Sequence, residues 1–443
     1  MSIKLSDHFS IRRLLRFTLP SIFMMVFTSI YGMVDGFFVS NFVGKTPFAA
    51  VNFIMPLLMM LATVGFMLGM GGSALIAKTL GEGDSKKANE IFSFFVYVSI
   101  AAGVAISALG FIFMPQIAKW LGAEGQLLAD AVLYARIVIA ALPAYIVHLE
   151  FESFFSTAEK PKLGLRLTII CGVLNMVLDA VFIAIFKWGI AGAALATAIS
   201  HLVSGVVPIV YFARPNNSLL RLQRAPADWK ALGKACFNGI SELINNTAMS
   251  LVGMLYNAQL LIYAGENGVA AYGVLMYVSF AFNAAFIGYA IGMSPVVGYH
   301  FGAQNHPELR GLLKKSVIII ASFSVCMFAL AEALGAPLSR IFVGYDSELY
   351  ALTSRAFTIY SFSFIFSGFA MFSSGFFTAL NDGVTSAIIS FLRTLIFEVL
   401  AVMLLPLIWG VDGIWVSVVL AEIMAVTAGV IFLFAKKNQF HYM

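Results

Sequence analysis

The sequence predicts an all-α integral membrane protein of twelve transmembrane helices, arranged as two pseudo-symmetric six-helix lobes. Three observations lead there: an apolar composition, apolar runs of membrane-crossing length, and short motifs that recur at half the chain length. Of 443 residues, 60% are hydrophobic and 11% charged, with a mean hydropathy of +0.92. Soluble domains are nearer half apolar and a quarter charged. A water-soluble core this apolar would lack charged side chains to cover it, whereas a bilayer solvates apolar surface directly.

A hydrocarbon core takes about 20 apolar residues per helix. Runs between polar breaks place spans near 15–40, 47–77, 90–114, 131–156, 163–186, 189–212, 236–263, 269–297, 314–336, 352–378, 386–409 and 411–435. Several exceed 20 residues, which implies tilt or bending, with Pro20, Pro56, Pro143 and Pro295 as candidate bends. The basic residues Lys4, Arg12, Arg13 and Arg16 precede a long apolar run with no early small-residue cleavage site, so the first span reads as retained.

Orientation follows from basic residues in alternate connections. With the amino terminus inside, the inner connections hold twenty Lys and Arg, while Lys45, Lys119, Lys187 and Arg340 alone fall outside. That asymmetry predicts two cytoplasmic termini. It also explains the net charge of +5 without nucleic acid, because the basic residues are dispersed between apolar runs. Cys171, Cys236 and Cys326 sit in apolar stretches without ligand spacing, so neither disulfides nor a zinc site is expected.

The repeat appears at an offset of 221. Leu80-Gly81-Glu82-Gly83-Asp84 resembles Phe301-Gly302-Ala303-Gln304-Asn305, and Lys187-Trp188-Gly189-Ile190-Ala191-Gly192 resembles Ile408-Trp409-Gly410-Val411-Asp412-Gly413. Six crossings return the chain to its starting side, so the lobes are parallel repeats with a candidate cavity between them. The expected division is 1–213 for the first lobe, 214–235 for a cytoplasmic linker and 236–443 for the second lobe.

Ionisable residues inside spans carry the functional signal, since a mid-bilayer charge costs at least about 2.5–3.5 kcal/mol. Asp35 falls about five residues, or roughly 7–8 Å, from the outer end of span one. Asp179 of span five shares a helix face with Asn175 four residues earlier, and Thr197 of span six falls at similar depth. Two carboxylates with amide and hydroxyl oxygens suit a desolvated proton or a hard cation such as Na⁺. The alternative for both Asp residues is a structural anchor hydrogen-bonded to backbone.

These residues also resemble a known family. The Asp35 setting Tyr31-Gly32-Met33-Val34-Asp35-Gly36, the Gly81-Glu82-Gly83-Asp84 loop, Asn175 with Asp179, and the run Gly192 to Thr197 resemble the multidrug and toxic compound extrusion (MATE) family, in its DinF-like bacterial branch. The resemblance implies a MATE-like fold in a bacterial inner membrane. It implies exchange of organic cations for H⁺ or Na⁺, with no cofactor, no nucleic acid and no obligate protein partner. Its cation site falls on Asp35, Asn175, Asp179 and Thr197, with Tyr134 as hydrogen-bonding neighbour.

The second lobe does not repeat this chemistry, since Asp35, Asn175 and Asp179 map onto Tyr256, Ile396 and Leu400. It offers Glu242, Asn245 and Asn246 in span seven, Arg393 and Glu398 in span eleven, and Glu422 in span twelve. Substrate or coupling roles are candidates for Glu242, Asn245, Asn246, Arg393 and Glu398; pairing of Arg393 with Glu398 or Glu422 is the structural alternative. His148, Glu150 and Glu152 read as lying close to the inner interface, without zinc-site spacing. Twenty Met and forty-two Phe permit a cavity that accepts varied flat cations, although most must pack or face lipid.

Two other functions fit the sequence less well. A flippase of lipid-linked precursors in the same superfamily would need a basic cavity, whereas only Arg136, Arg355 and Arg393 lie within spans. An intramembrane enzyme lacks support, since no His-Glu-x-x-His, Gly-x-Ser-x-Gly or phosphate-binding loop is present.

Overall fold

The computed structural model of the chain describes residues 3–443, which are helical with no strand among them. In the first lobe, α1 (Ile11–Phe38) runs on through a π-helical turn at Val39–Val43. Next come α2 (Lys45–Gly81), α3 (Ser85–Trp120), α4 (Gly125–Ala140) and α5 (Leu142–Thr157). The lobe ends with α6 (Pro161–Asp179), whose π-helical extension is Ala180–Ile185, and α7 (Gly189–Ala213). A short helix, α8 (Trp229–Asn238), leads into the second lobe. There follow α9 (Ile240–Gly302), α10 (His306–Val343), α11 (Ser347–Tyr360), α12 (Ser363–Ala379), α13 (Gly383–Phe391), α14 (Glu398–Leu404), α15 (Pro406–Trp409) and α16 (Val411–Phe440).

These helices resolve into the twelve expected crossings. The pair α4 and α5 meets at 62° and α11 and α12 at 49°, each pair making one bent crossing. The 63 residues of α9 make two crossings, broken at Gly265, whose φ of 61° and ψ of −152° suit glycine alone. Pro143 sits at the first break, as expected, because it lacks the N–H that would continue the helix. Pro20 and Pro56 instead lie inside α1 and α2, Pro295 lies 30 residues past the Gly265 break of α9, and the second break has no proline. There Ser361 Oγ donates to Glu332 and to the Thr358 carbonyl, and the helix restarts at Ser363.

The repeated motifs have a backbone explanation. Asp84 caps α3 by accepting from Lys87 N at 2.9 Å, and Asn305, 221 residues on, caps α10 by accepting from Glu308 N at 3.2 Å. The residues before them turn the chain through positive φ, 88° at Gly83 and 53° at Gln304. Gly189 and Gly410, before α7 and α16, repeat this with φ of 59° and 58°.

Both chain ends gather at one face of the molecule, here the terminal face. Phe9 N donates to Glu308 Oε1 at 2.9 Å, Leu5 N to Glu159 Oε1 at 2.5 Å, and the Phe440 ring packs on Phe301 at 5.6 Å. Burial holds the Glu159 carboxyl above its usual range, against the opposing Leu5 N–H and Lys4 charge.

On this side the lobes close on each other at backbone distance. A Cβ built on Gly81 would lie 2.0 Å from the Tyr299 carbonyl oxygen, and one on its repeat mate Gly302 would lie 2.0 Å from that of Lys78. Deeper in, Gly292 abuts Thr18 of α1, and its mate Gly71 abuts the Ala235 carbonyl of α8. No side chain fits between helices that approach so closely, so glycine at these positions makes the seal.

Candidate ion and substrate cavity

With the terminal face sealed, open space remains in the opposite half. A cavity of about 740 Å³ lies between the lobes, walled by α1, α2, α6 and α7 on one side and by residues 257–280 of α9 on the other. Its size matches that of drug-binding clefts. Met55, Met59, Met276, Phe48 and Phe280 supply much of the wall, and no Lys or Arg is among the described residues that line it.

Three helices bring the expected polar residues of the first lobe together. Asp35 of α1, Asn175 of α6 and Thr197 of α7 line the cavity, and Asp179, one turn beyond Asn175, lies fully buried behind them. The Asp35 and Asp179 carboxyls adjoin each other. Asp35 Oδ1, both Asp179 oxygens and Thr197 Oγ1 are shielded from water and lack a hydrogen-bond partner. Among the described residues, no backbone N–H anchors Asp35 Oδ1 or either Asp179 oxygen. Tyr134 of α4, also fully buried, stands beside Thr197, and its hydroxyl reaches Met55 Sδ at 4.0 Å.

The local chain favours this arrangement. The α-helix of α6 ends at Asp179, and the next six residues widen into a π-helix. Such a turn re-aims side chains and often marks a functional site. The group of oxygens suits hard monovalent ions: two adjoining carboxyls lack only a proton or a cation between them, and Thr197 adds a neutral oxygen.

Two further acids lie in the first-lobe interior. Glu150 and Glu152, placed by sequence towards the inner interface, are 0% and 2% exposed and so lie inside the helix bundle. Glu150 faces Ser99 of α3, whereas Glu152 approaches Tyr31 and His148, with His148 Nε2 3.7 Å from Glu152 Oε1. Glu152 Oε2 has no partner. Next to them, the cavity-lining Tyr145 and His201 stack in parallel, 3.9 Å apart.

The second-lobe candidates lie elsewhere. None of Glu242, Asn245, Asn246, Arg393 and Glu398 lines the cavity. Asn246 Nδ2 donates to the Glu242 carbonyl one turn back, and Asn245 Oδ1 has no partner. Arg393, on the π-helical segment Leu392–Phe397, grips Glu422 through Nε at 3.0 and 3.1 Å and Nη2 at 2.6 Å, so the pairing is with Glu422 and not with Glu398. Glu398 adjoins Tyr256, which takes the place of Asp35 in the repeat and hydrogen-bonds Ser417 at 2.8 Å.

Breaking a buried ion pair by removing one partner costs about 3–5 kcal/mol, whereas replacing both by apolar groups is near neutral. Glu422→Leu alone is thus expected to lower thermal stability sharply, and Arg393→Met combined with Glu422→Leu to restore most of it. Equal destabilisation by the single and double variants would contradict a purely structural pair.

Comparison with known proteins agrees with this fold. The family model MatE matches the chain twice, over residues 20–181 and 242–403. The chain is 26% identical over 431 residues to the multidrug export protein MepA of Staphylococcus haemolyticus (strain JCSC1435), spanning 97% of this chain and 94% of the relative. Identity is 24% to MepA of Staphylococcus aureus (strain MSSA476), with the same coverage. A solved structure described as the outward-facing conformation of a multidrug resistance MATE family transporter of the MOP superfamily superposes with a TM-score of 0.93 at 20% identity, covering 98% of each chain. For a MATE described as in the bent conformation the TM-score is 0.87 at 21% identity, again over 98% of each chain. The family model covers most of both lobes: the chain belongs to the MatE family, the multidrug and toxic compound extrusion transporters, and is no enzyme.

Proposed function

We propose that the protein is a multidrug exporter that moves organic cations outward across a bacterial inner membrane in exchange for H⁺ or Na⁺, with coupling at Asp35 and Asp179. The observation that carries this reading is the adjoining carboxyl pair, without counter-charge or donor, beside an apolar cavity shared by both lobes. Two uncompensated carboxylates in so dry a wall cost several kcal/mol. A proton between them, a Na⁺ held with Thr197 and Asn175, or an organic cation in front of Asp35 each relieves that cost. Because all three relieve the same charge, binding one weakens the others, and by linkage the effect is mutual.

The direction of transport follows. With termini cytoplasmic, the sealed terminal face is the inner one and the cavity opens outward. Ions arriving from outside neutralise the pair and discharge the organic cation, and the neutralised protein is then free to reopen inward. Glu152, near the cavity-lining Tyr31 and His148, places a third acid behind the same wall. A cavity with no Lys or Arg among its described lining residues does not suit the pyrophosphate of a lipid-linked precursor.

The test is transport of a fluorescent cationic dye in proteoliposomes, with a pH gradient or a Na⁺ gradient imposed separately. One gradient is expected to drive the dye uphill. Movement driven by neither would overturn the antiport reading.

A further inference from the structure

The segment between the lobes is not a loose tether. Residues 219–223 run along α3 and are pinned to it: Arg221 N donates to Asn89 Oδ1 at 2.6 Å, Gln223 N to Ser93 Oγ at 2.9 Å, and the Tyr97 hydroxyl to the Gln223 carbonyl at 3.0 Å. Asp228 then caps α8 through Ala231 N at 2.9 Å. The helix buries Ala231, Ala235 and Asn238 and turns Trp229, Lys230, Lys234 and Phe237 outward. Trp229 is 68% and Phe237 54% exposed.

Helix lengths place this surface. The 36 residues of α3 are about 54 Å long, roughly 24 Å more than a hydrocarbon core of about 30 Å, so about 12 Å protrudes at each end if the excess is shared. Trp229 packs edge-on against Phe94 with centroids 5.4 Å apart. Phe94 lies nine residues from the start of α3, about 13.5 Å along it. Trp229 therefore sits at the boundary between acyl chains and headgroups, where tryptophan is enriched. The segment and α8 expose Arg214, Arg221, Arg224, Lys230 and Lys234; the Asp228 carboxylate is occupied by the cap, and Asp84 and Glu90 of α3 share a surface hollow with Lys86 and Lys87 beside it.

The buried side of the same helix belongs to the seal. The Ala235 carbonyl oxygen would lie 2.1 Å from a Cβ on Gly71 of α2, and Asn238 Nδ2 donates to the Thr378 carbonyl of α12 at 2.8 Å. Thus α8 joins both lobes while showing lipid an aromatic and basic face. We infer that α8 and the segment before it form a docking surface for anionic phospholipid headgroups, and that lipid docked there stabilises the closed terminal face. A ligand shifts a two-state equilibrium by its preference for one state, and lipid that fixes α8 prefers the state in which α8 bridges the lobes. The inference holds whichever ion drives transport.

The test uses the full-length protein in nanodiscs of phosphatidylcholine with or without phosphatidylglycerol, the probes being brominated forms of each lipid. The Trp229 contribution is the difference in fluorescence quenching between the native protein and Trp229→Phe. Brominated phosphatidylglycerol is expected to quench it at least twofold more than brominated phosphatidylcholine at equal mole fraction. That excess should disappear in Arg224→Gln/Lys230→Gln/Lys234→Gln and in high salt. It should persist with added inorganic phosphate, because the surface serves a membrane and not a free anion. In a Thr18→Cys variant freed of native cysteines, phosphatidylglycerol is expected to slow maleimide labelling of the seal at least threefold, and the charge-neutralised variant to lose this protection. Equal quenching by both lipids, no quenching by either, or an undiminished lipid effect in the charge-neutralised variant would each overturn the proposal.

Discussion

Asp179→Asn is expected to abolish uphill export of a cationic dye, lowering its rate at least 10-fold, while the protein keeps or gains thermal stability. The two outcomes separate function from folding. Asp179 is fully buried, and neither of its oxygens accepts a hydrogen bond from the protein. The carboxylate therefore contributes little to packing that an amide of the same shape would lose, and its removal relieves a buried charge. What it loses is the ability to exchange a proton or Na⁺. Asp35→Asn should act alike, and the double variant should be no worse than either single one, because the pair works as a unit. Transport is measured in proteoliposomes and stability by thermal unfolding in detergent. Substantial export by Asp179→Asn at normal expression would remove it from the coupling site.

The second large effect concerns the seal. Gly302→Leu is expected to prise the terminal face open, since its Cβ alone would meet the Lys78 carbonyl oxygen at 2.0 Å and a backbone atom cannot rotate aside. Relief requires the lobes to part where α2 and α9 cross. Overpacking of this kind costs about 1–3 kcal/mol, enough to shift a two-state equilibrium by one or two orders of magnitude. Maleimide labelling of Thr18→Cys, buried at the seal, should accelerate at least 10-fold, and so should labelling with Gly81→Leu at the repeat-related site. Gly233→Ala on α8 is the control, because a Cβ there meets nothing within 4 Å. Unchanged labelling in both leucine variants would show that these contacts do not hold the face shut.

Much of the fold was legible in the sequence, for a plain reason. Apolar runs of membrane length give away their crossings because the bilayer is a uniform solvent, and repeated caps such as Asp84 and Asn305 keep a local spelling. Breaks were less legible. Pro143 announces one, but the bend at Ser361 and Phe362 depends on Glu332 reaching from a neighbouring helix. The coupling of crossings seven and eight through Gly265 hides among ordinary loop glycines.

For the site, Asp35, Asn175, Asp179 and Thr197 stood out because charge in an apolar run is costly and the motifs resemble a family. Their meeting at one wall is a matter of packing between helices far apart in sequence. Glu152 carried the same signal, a carboxylate in an apolar run, and was discounted through its distance from the span's end. The grip of Arg393 on Glu422, 29 residues away, was among the pairings sequence allowed but did not select. The seal was invisible for a different reason: glycine marks a close approach without saying to what.

The most direct measurement of ion and cargo exchange is ion displacement by cargo in the purified protein, without a gradient. A planar cationic dye is added to weakly buffered protein and the released protons are read with a pH indicator; in parallel, dye affinity is measured across Na⁺ concentrations. The native protein is expected to release protons on dye binding, or to bind dye more weakly as Na⁺ rises, and Asp35→Asn/Asp179→Asn to do neither. Dye binding that displaces no proton and ignores Na⁺ in the native protein, or displacement that survives in the double variant, would contradict the account.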